Sequence, residues 1–227
     1  MCIPIERHRS EMMRNIESWQ KKPLLRFIYG EFYNKIIANI NKDLDGKVVE
    51  IGSGIGNFKR IYPNCISTDI FPNEWIDRIE NAYALSFGND SVSHLILFDV
   101  FHHLRFPGSA LEEFRRVLKK GGRIIICDPY LSLLGFIIYG IFHHEPVGFF
   151  RNIHWFYTKD IDPNREYYAA QSNSFKIFNV SSRFRKVLEK DWNITAVNKL
   201  SAISYVLSGG FSKPVLFNEN ITVNQKT

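Results

Sequence analysis

Three glycines follow an acidic residue closely in the run Glu50–Gly56, which reads E-I-G-S-G-I-G. Glycine lets the backbone turn tightly and approach a ligand without a Cβ clash. A helix that begins after such a loop offers N–H groups that lack partners inside the helix. The carboxylate of Glu50 would repel a pyrophosphate but would accept hydrogen bonds from a cationic amino group. The run therefore favours a binding site for a ligand with a positively charged amino-acid end. The alternative is a plain strand-to-helix turn that binds no ligand.

A second acidic residue, Asp69, ends the next apolar run, about 17 residues after Gly52. A carboxylate at this place in a nucleotide-binding α/β fold accepts hydrogen bonds from both hydroxyls of a ribose. The alternative is a helix cap or a turn aspartate before Pro72. The spacing to the glycine loop favours the ribose role.

Two adjacent histidines, His102 and His103, follow a later apolar run. A histidine titrates near neutrality, so either could accept a proton from a hydroxyl or an acidic carbon. The alternative is that both only pack at the start of the next helix; of the two we favour His103 as the base. We predict no metal site here or at His143–Glu145, because adjacent residues diverge and an i, i+4 partner is missing.

Alternating strand and helix patterns surround these residues. Such an order predicts βαβ units with right-handed crossovers and a mostly parallel sheet. The predicted strands are Val48–Ile51, Cys65–Asp69, Val92–Asp99 and Arg123–Cys127, and the predicted helices are Asn57–Tyr62 and Ser109–Lys119, the second one ended by Gly121 and Gly122.

The flanking segments complete one domain over residues 1–227. We expect N-terminal cap helices in residues 1–45, divided by Pro23, a cofactor-binding core in 46–130, a lid-like insertion in 131–175 and the last part of the sheet in 176–217. In this last part the patterns predict a helix over Val180–Lys190 and strands over Trp192–Leu200 and Ile203–Leu207.

The composition limits which partners, metal sites and cellular compartment we expect for the protein. Hydrophobic residues make up 45% of the 227, enough for a core, and the net charge of +6 is scattered, so we expect no nucleic-acid partner. The three cysteines, Cys2, Cys65 and Cys127, are far apart and predict neither a disulfide framework nor a zinc site. The N-terminal residues lack the apolar core of a secretory signal, so we expect a cytoplasmic protein.

Aromatic residues are concentrated between Tyr130 and Tyr168. They predict either a lid over an acceptor with an apolar or planar part or an ordinary aromatic core. The apolar run Leu131–Phe142 is too short to span a bilayer. It is compatible with a lid, with a core helix, or with a surface resting on a membrane that admits a lipid substrate.

Taken in order, five blocks resemble the class I S-adenosylmethionine-dependent methyltransferases, in particular the small-molecule type 11 branch. The resemblance covers about Val48–Tyr130. The blocks are the glycine loop Val49–Gly56, the strand end Thr68–Ile70, the segment Asn81–Phe87, the fourth-strand motif Asp99–Leu104 and the turn Arg116–Arg123.

The resemblance implies a Rossmann-like α/β fold, with a mostly parallel seven-stranded sheet and helices on both faces. It also implies S-adenosylmethionine as cofactor and a role for each matched residue. The methionine part would contact Glu50, Gly52, Ser53 and Gly54, the ribose Asp69, the adenine Ile70, Asn81 and Ala82, and the sulfonium end Asp99 and Val100. The chain departs from the family at Asn81, usually aspartate, and at Ser86 and Lys120, usually proline.

These observations predict an enzyme that transfers a methyl group from S-adenosylmethionine to a small molecule. The alternative is a non-catalytic protein that binds the same cofactor and acts through a partner. A nicotinamide-dependent oxidoreductase is disfavoured because Asn57 stands where the G-x-G-x-x-G fingerprint requires glycine.

Overall fold

A computed structural model describes residues 5–129, 148, 151–157, 168–198 and 210–211. The chain begins with two helices, α1 (Ile5–Lys21) and α2 (Pro23–Ala38). Pro23 opens the second helix, where its missing N–H costs nothing, so the predicted division is confirmed. The buried side of α2 contains Leu25, Ile28, Tyr33 and Ile36, the spacing of an amphipathic helix.

Five parallel strands form the sheet in the described part of the chain. They are β1 (Lys47–Ile51), β2 (Cys65–Asp69), β3 (Arg78–Ile79), β4 (Val92–Phe98) and β5 (Leu118–Cys127), in the order β3-β2-β1-β4-β5. Between them lie α3 (Asn57–Ile61), a short 3₁₀ helix (Phe101–His103) and α4 (Pro107–Val117). The order reverses between β1 and β4, and ligands bind at the carboxyl ends of strands at such a switch point.

The interior strand β4 is buried along Val92–Leu97, as expected of a parallel strand covered on both faces. Successive side chains point to opposite faces. Leu95 belongs to the hydrophobic cluster that contains Phe114 of α4, whereas Ile96 belongs to the cluster that contains Ile36 of α2. Helices therefore cover both faces, and the predicted Rossmann-like α/β arrangement is confirmed.

The predicted end of helix Ser109–Lys119 is wrong, because α4 ends at Val117 and β5 begins at the next residue. The pairing of β4 with β5 is irregular there, since Val92 pairs with Leu118 and the next pair joins His94 to Arg123. Gly121 takes a positive φ of 80° inside this bulge. The two glycines thus permit a bulged strand, a known use of glycine in sheets, and do not stop a helix.

The C-terminal part differs more from the prediction. The predicted helix Val180–Lys190 is shorter, α6 (Arg183–Leu188), and a further helix, α5 (Ser172–Phe178), precedes it. Ser182 caps α6 by accepting a hydrogen bond from the Phe184 N–H. Residues 192–198 contain no strand, and Ile203–Leu207 lies outside the described residues, so the sheet has five described strands where seven were expected.

Much of the expected lid, including Leu131–Phe142, also lies outside the described residues, and the domain boundaries stay predictions. Among the helices of the described ranges, none has the length and apolar character needed to cross a lipid bilayer.

The first prediction concerns His94, a fully buried residue of β4. Its Nε2 accepts a hydrogen bond from the Asn41 N–H at 2.9 Å, and burial, with the charge of Arg123, lowers the pKa of His94. The unfolded chain therefore takes up a proton first as the pH falls below about 6.5, and the free energy of unfolding decreases by about 1 kcal/mol per pH unit from there downward.

Urea unfolding between pH 7.5 and 5.5 measures this loss. The variant His94→Gln keeps a polar side chain that does not titrate, so its free energy of unfolding should fall less steeply over the same range. Parallel pH profiles for the two proteins would show that His94 does not contribute.

Candidate functional site

The glycine loop after β1 has three left-handed residues, Gly52, Gly54 and Gly56, with φ of 72°, 52° and 68°. A Cβ on Gly52 would lie 2.5 Å from a methyl carbon of Val100, and one on Gly56 would lie 2.7 Å from the Trp75 carbonyl oxygen. A Cβ on Gly54 would meet no atom within 4 Å. Gly52 and Gly56 thus permit close internal packing, whereas Gly54 presents its backbone to open space that a ligand can enter.

Hydrogen bonds fasten the loop to the end of β2. The Ser53 N–H donates to the Thr68 carbonyl at 2.8 Å, and the Thr68 N–H donates to Ser53 Oγ at 3.0 Å. Thr68 Oγ1 donates to the Glu50 carbonyl at 2.7 Å. Ser53 is itself buried, and its side chain holds the loop in shape.

Glu50, in β1 one residue before the strand ends, has a buried carboxylate. Its side chain is only 4% exposed, and within the described chain Oε2 has no hydrogen-bond partner. Burial raises the pKa of Glu50 to about 7, and the nearby Asp69 raises it further while Ser53 opposes the shift. An orphaned carboxylate oxygen is costly unless a ligand completes it. A cationic amino group fits this oxygen in both charge and hydrogen bonding.

Asp69 ends β2 beside the loop. Its Oδ2 accepts from the Gly54 N–H and its Oδ1 from the Phe71 N–H, both at 3.0 Å. A carboxylate oxygen can accept two hydrogen bonds, so both oxygens keep capacity for the hydroxyls of a ribose. The next residue, Ile70, is 44% exposed and provides an apolar surface on which an adenine face could rest.

Asn81 and Ala82 follow β3 in a tight turn. Asn81 Oδ1 accepts from the Tyr83 N–H at 3.0 Å, so the amide stabilises its own turn. Ala82 is half-buried against the core. The Ser86 N–H donates to the buried Glu80 carboxylate at 2.8 Å, a bond that the proline usual in the family could not make.

Asp99 and Val100 follow β4, the strand that pairs with β1 at the switch point. Asp99 has a positive φ of 58°, its N–H donates to the Cys127 carbonyl, and its side chain is 49% exposed. Val100 packs on Gly52. The ends of β1, β2 and β4 thus bring Glu50, Asp69 and Asp99 to the same edge of the sheet.

The two histidines have different surroundings. His102 is fully buried; its Nδ1 lies 3.2 Å from Asp128 Oδ1 and its Nε2 lies 3.2 Å from Gln171 Nε2. His103 is half-buried, and its Nδ1 lies 3.0 Å from the Tyr168 carbonyl oxygen. A carbonyl only accepts, so Nδ1 of His103 carries a proton and the neutral ring has its lone pair on Nε2. The geometry suits His103 to a base and His102 to a supporting role.

Sequence reasoning did not single out Asp128, which holds the turn that carries both histidines. Its Oδ1 accepts from the Phe101 N–H at 3.1 Å and faces His102 Nδ1, and its Oδ2 accepts from the His102 N–H at 3.0 Å and from Ser174 Oγ. An acid at the carboxyl end of the predicted strand Arg123–Cys127 was the signal available.

Ligand-type atoms of Asp99, His102 and Asp128 also lie within 4.8 Å of one another, a combination that could suggest a metal ion. Each oxygen of Asp128 already faces two hydrogen-bond donors, which uses the lone pairs that a cation would need. We therefore assign this cluster to hydrogen bonding.

Comparison with known proteins bears on this geometry. Residues 49–126, about a third of the chain, match the model of a family described as "Methyltransferase domain". This segment is similar to the methyltransferase domains of that family. Such domains use S-adenosylmethionine, and the match runs from the glycine loop to the end of β5. A search of curated proteins found no match.

Several solved structures are similar over part of the chain. They include an S-adenosylmethionine-dependent methyltransferase from Thermotoga maritima (23% identity, 52% of this chain and 59% of that one, TM-score 0.45) and the YcgJ protein from Bacillus subtilis (24%, 43% and 50%, 0.39). A third is phosphoethanolamine N-methyltransferase 2 from Haemonchus contortus in complex with S-adenosyl-L-methionine (15%, 48% and 32%, 0.37). The match to the first two spans only about half of their length.

A second prediction separates the glycines of the loop that follows β1. Gly54→Ala should cost about 1 kcal/mol of unfolding free energy, from the left-handed backbone alone. Gly52→Ala carries the same cost and also drives a methyl group into Val100, so we expect about 1–3 kcal/mol more. Urea unfolding measures both changes.

The double variant Gly52→Ala with Val100→Ala is the matched control. Removing the valine methyl groups should recover part of the Gly52→Ala loss, because the clash disappears. Equal losses for the two single variants, or no recovery in the double variant, would contradict the packing role of Gly52.

Proposed function

We propose that the protein binds S-adenosylmethionine at the carboxyl ends of β1, β2 and β4 and transfers its methyl group to a small-molecule acceptor. The observation that carries the proposal is the buried Glu50 carboxylate, whose orphaned oxygen lies at the start of the loop that contains the open backbone of Gly54. A cofactor with a cationic amino-acid end satisfies both features. A pyrophosphate would meet a negative charge at the same place.

The remaining residues would hold the rest of the cofactor. Asp69 would accept from the ribose hydroxyls and Ile70 would support the adenine, whose edge would face Asn81 and Ala82. Gly52, Ser53 and Gly54 would shape the wall around the methionine part, and Asp99 and Val100 would lie beside the sulfonium. When bound, the cofactor supplies a methyl group on a good leaving group, so the protein mainly has to align the acceptor with it.

His103 would accept a proton from the acceptor, if the acceptor reacts through a hydroxyl or an acidic carbon. The support is the position of the histidine turn after β4 and the lone pair that the Tyr168 contact leaves on Nε2. Phe156 and Tyr157 are about half exposed beside the start of α4, which follows the same turn. Their rings support an acceptor with an apolar or planar part.

We keep a cytoplasmic setting within this proposal, because the buried Cys65 and the half-buried Cys127 are both free thiols. We also propose no nucleic-acid partner, on the scattered charge of the chain. A lipid acceptor would require contact with a membrane surface.

Methyl-labelled S-adenosylmethionine tests the proposal. The protein should transfer label to a component of a low-molecular-mass extract, and His103→Gln should slow the transfer by about 10²–10⁴-fold with cofactor affinity unchanged. Unchanged transfer in His103→Gln would exclude the base role. Tight cofactor binding without transfer to any acceptor would instead indicate a non-catalytic protein that acts through a partner.

A third prediction concerns Asp69. Asp69→Ala should weaken binding of S-adenosylhomocysteine by about 10–100-fold, because hydrogen bonds between the ribose hydroxyls and a charged acceptor are lost. Calorimetric titration measures the affinity, and circular dichroism checks that the fold is retained.

Thr68→Val is the matched control, because it removes the Thr68 Oγ1 bond that fastens the loop but leaves the carboxylate in place. If Thr68→Val weakens binding as much as Asp69→Ala, Asp69 acts by anchoring the loop. If Asp69→Ala binds as tightly as the natural protein, the ribose assignment is wrong.

A fourth prediction links stability to binding at Glu50. Its folded pKa of about 7 lies above the ordinary value of 4.5. The unfolded chain therefore loses this proton first, so the free energy of unfolding decreases as the pH rises from 4.5 through 7, by up to about 3 kcal/mol. Glu50→Gln removes the buried charge and should be about 1–3 kcal/mol more stable than the natural protein at pH 8.

The same variant should bind S-adenosylhomocysteine at least about 10-fold more weakly at pH 8, since the partner of the ammonium group is lost. Urea unfolding and calorimetry at pH 8 measure the two effects on one sample. A variant that is both less stable and equally tight in binding would contradict the role of Glu50.

A further inference from the structure

The segment Tyr168–Ser174 packs against the histidine turn, although it lies beyond the residues of the methyltransferase domain match. Four consecutive polar residues of this segment, Gln171–Ser174, are buried, with exposures from 0% to 6%. Buried polar side chains are costly unless they form hydrogen bonds. Their contacts therefore indicate what the segment does.

Four hydrogen bonds join the segment to the turn and its support. The Ala170 N–H donates to the His102 carbonyl at 3.2 Å, and the Gln171 amide nitrogen lies 3.2 Å from His102 Nε2. Ser174 Oγ donates to Asp128. The Tyr168 carbonyl accepts from His103 Nδ1 at 3.0 Å. The segment thus contacts both histidines and the acid that caps them.

These contacts favour one tautomer for each ring. An amide nitrogen only donates, so His102 Nε2 accepts from Gln171 and the ring of His102 is neutral, with its proton on Nδ1 facing Asp128. His103 also carries its proton on Nδ1, facing the Tyr168 carbonyl. The two rings are close, with centroids 4.0 Å apart. Moving or charging one ring would disturb the other.

We propose that Gln171 is a positioning residue for methyl transfer. By bonding to His102 Nε2, it holds His102 in one neutral tautomer and keeps the Tyr168 carbonyl on His103 Nδ1. His103 is thereby held with its lone pair on Nε2, the form that can accept a proton from the acceptor. The inference rests on the proposed function and adds to it a residue from outside the matched domain.

Two-bond ¹H–¹⁵N correlation spectra of the ¹⁵N-labelled full chain test the inference at pH 8, with His102→Gln and His103→Gln spectra used for assignment. In the natural protein both rings should show the neutral pattern with Nδ1 protonated. In Gln171→Leu the His102 and His103 signals should change to mixed tautomers. In Ser172→Ala they should not change, because the hydroxyl of this adjacent buried residue has no hydrogen-bond partner in the described chain.

An imidazolium or an Nε2-protonated pattern for either ring in the natural protein would overturn the inference. This part of the test needs no variant, so it applies even if the Gln171→Leu chain fails to fold. Unchanged signals in Gln171→Leu would also overturn it. Calorimetry with S-adenosylhomocysteine, run on the same samples, separates the two proposals. The affinity should stay within about 2-fold in Gln171→Leu, whereas absence of binding in the natural protein would refute the proposed function and leave the tautomer result standing.

Discussion

A carboxylate buried at the end of a central strand is the constraint on which the site depends. Glu50 gives up most of its hydration and receives no compensating hydrogen bond at Oε2 from the described chain, and its pKa rises to about 7 as a result. Such a group lowers stability in the folded protein. Its position is explained if a cationic group of the ligand donates a hydrogen bond to this carboxylate. The buried charge of Glu50 then accounts both for the loss of stability and for the selectivity for a cationic ligand.

The rest of the sheet keeps that carboxylate next to open backbone. β1 lies between β2 and β4, so the loop after Glu50 is bounded by Asp69 on one side and by Val100 on the other. Gly52 allows Val100 to come close and Gly56 allows the Trp75 backbone to come close, and Gly54 is left facing open space. Close packing at two glycines thus leaves a defined opening at the third.

The sequence pattern predicted those parts of the structure that depend on residues close together in the chain. The buried strands and the spacing from the loop to Asp69 followed from apolar runs and glycines, and the structure brings these parts together as expected. The glycine pair at Gly121 was misread because a bulge depends on pairing with β4, a distant strand. Asp128 was marked in the sequence only by its place after a predicted strand. Its contact with His102 and that of Gln171 were not predictable, because they span 26 and 69 residues of sequence.

The most direct measurement compares two ligands that share adenosine and thioether but differ in the amino-acid end. Calorimetric titration of the natural protein at pH 8 with S-adenosylhomocysteine and with methylthioadenosine isolates the contribution of the ammonium-bearing end. The account predicts that S-adenosylhomocysteine binds at least about 10-fold more tightly, in keeping with a charge-assisted hydrogen bond to Glu50. Equal affinities, or no binding of either ligand at millimolar concentration, would contradict it.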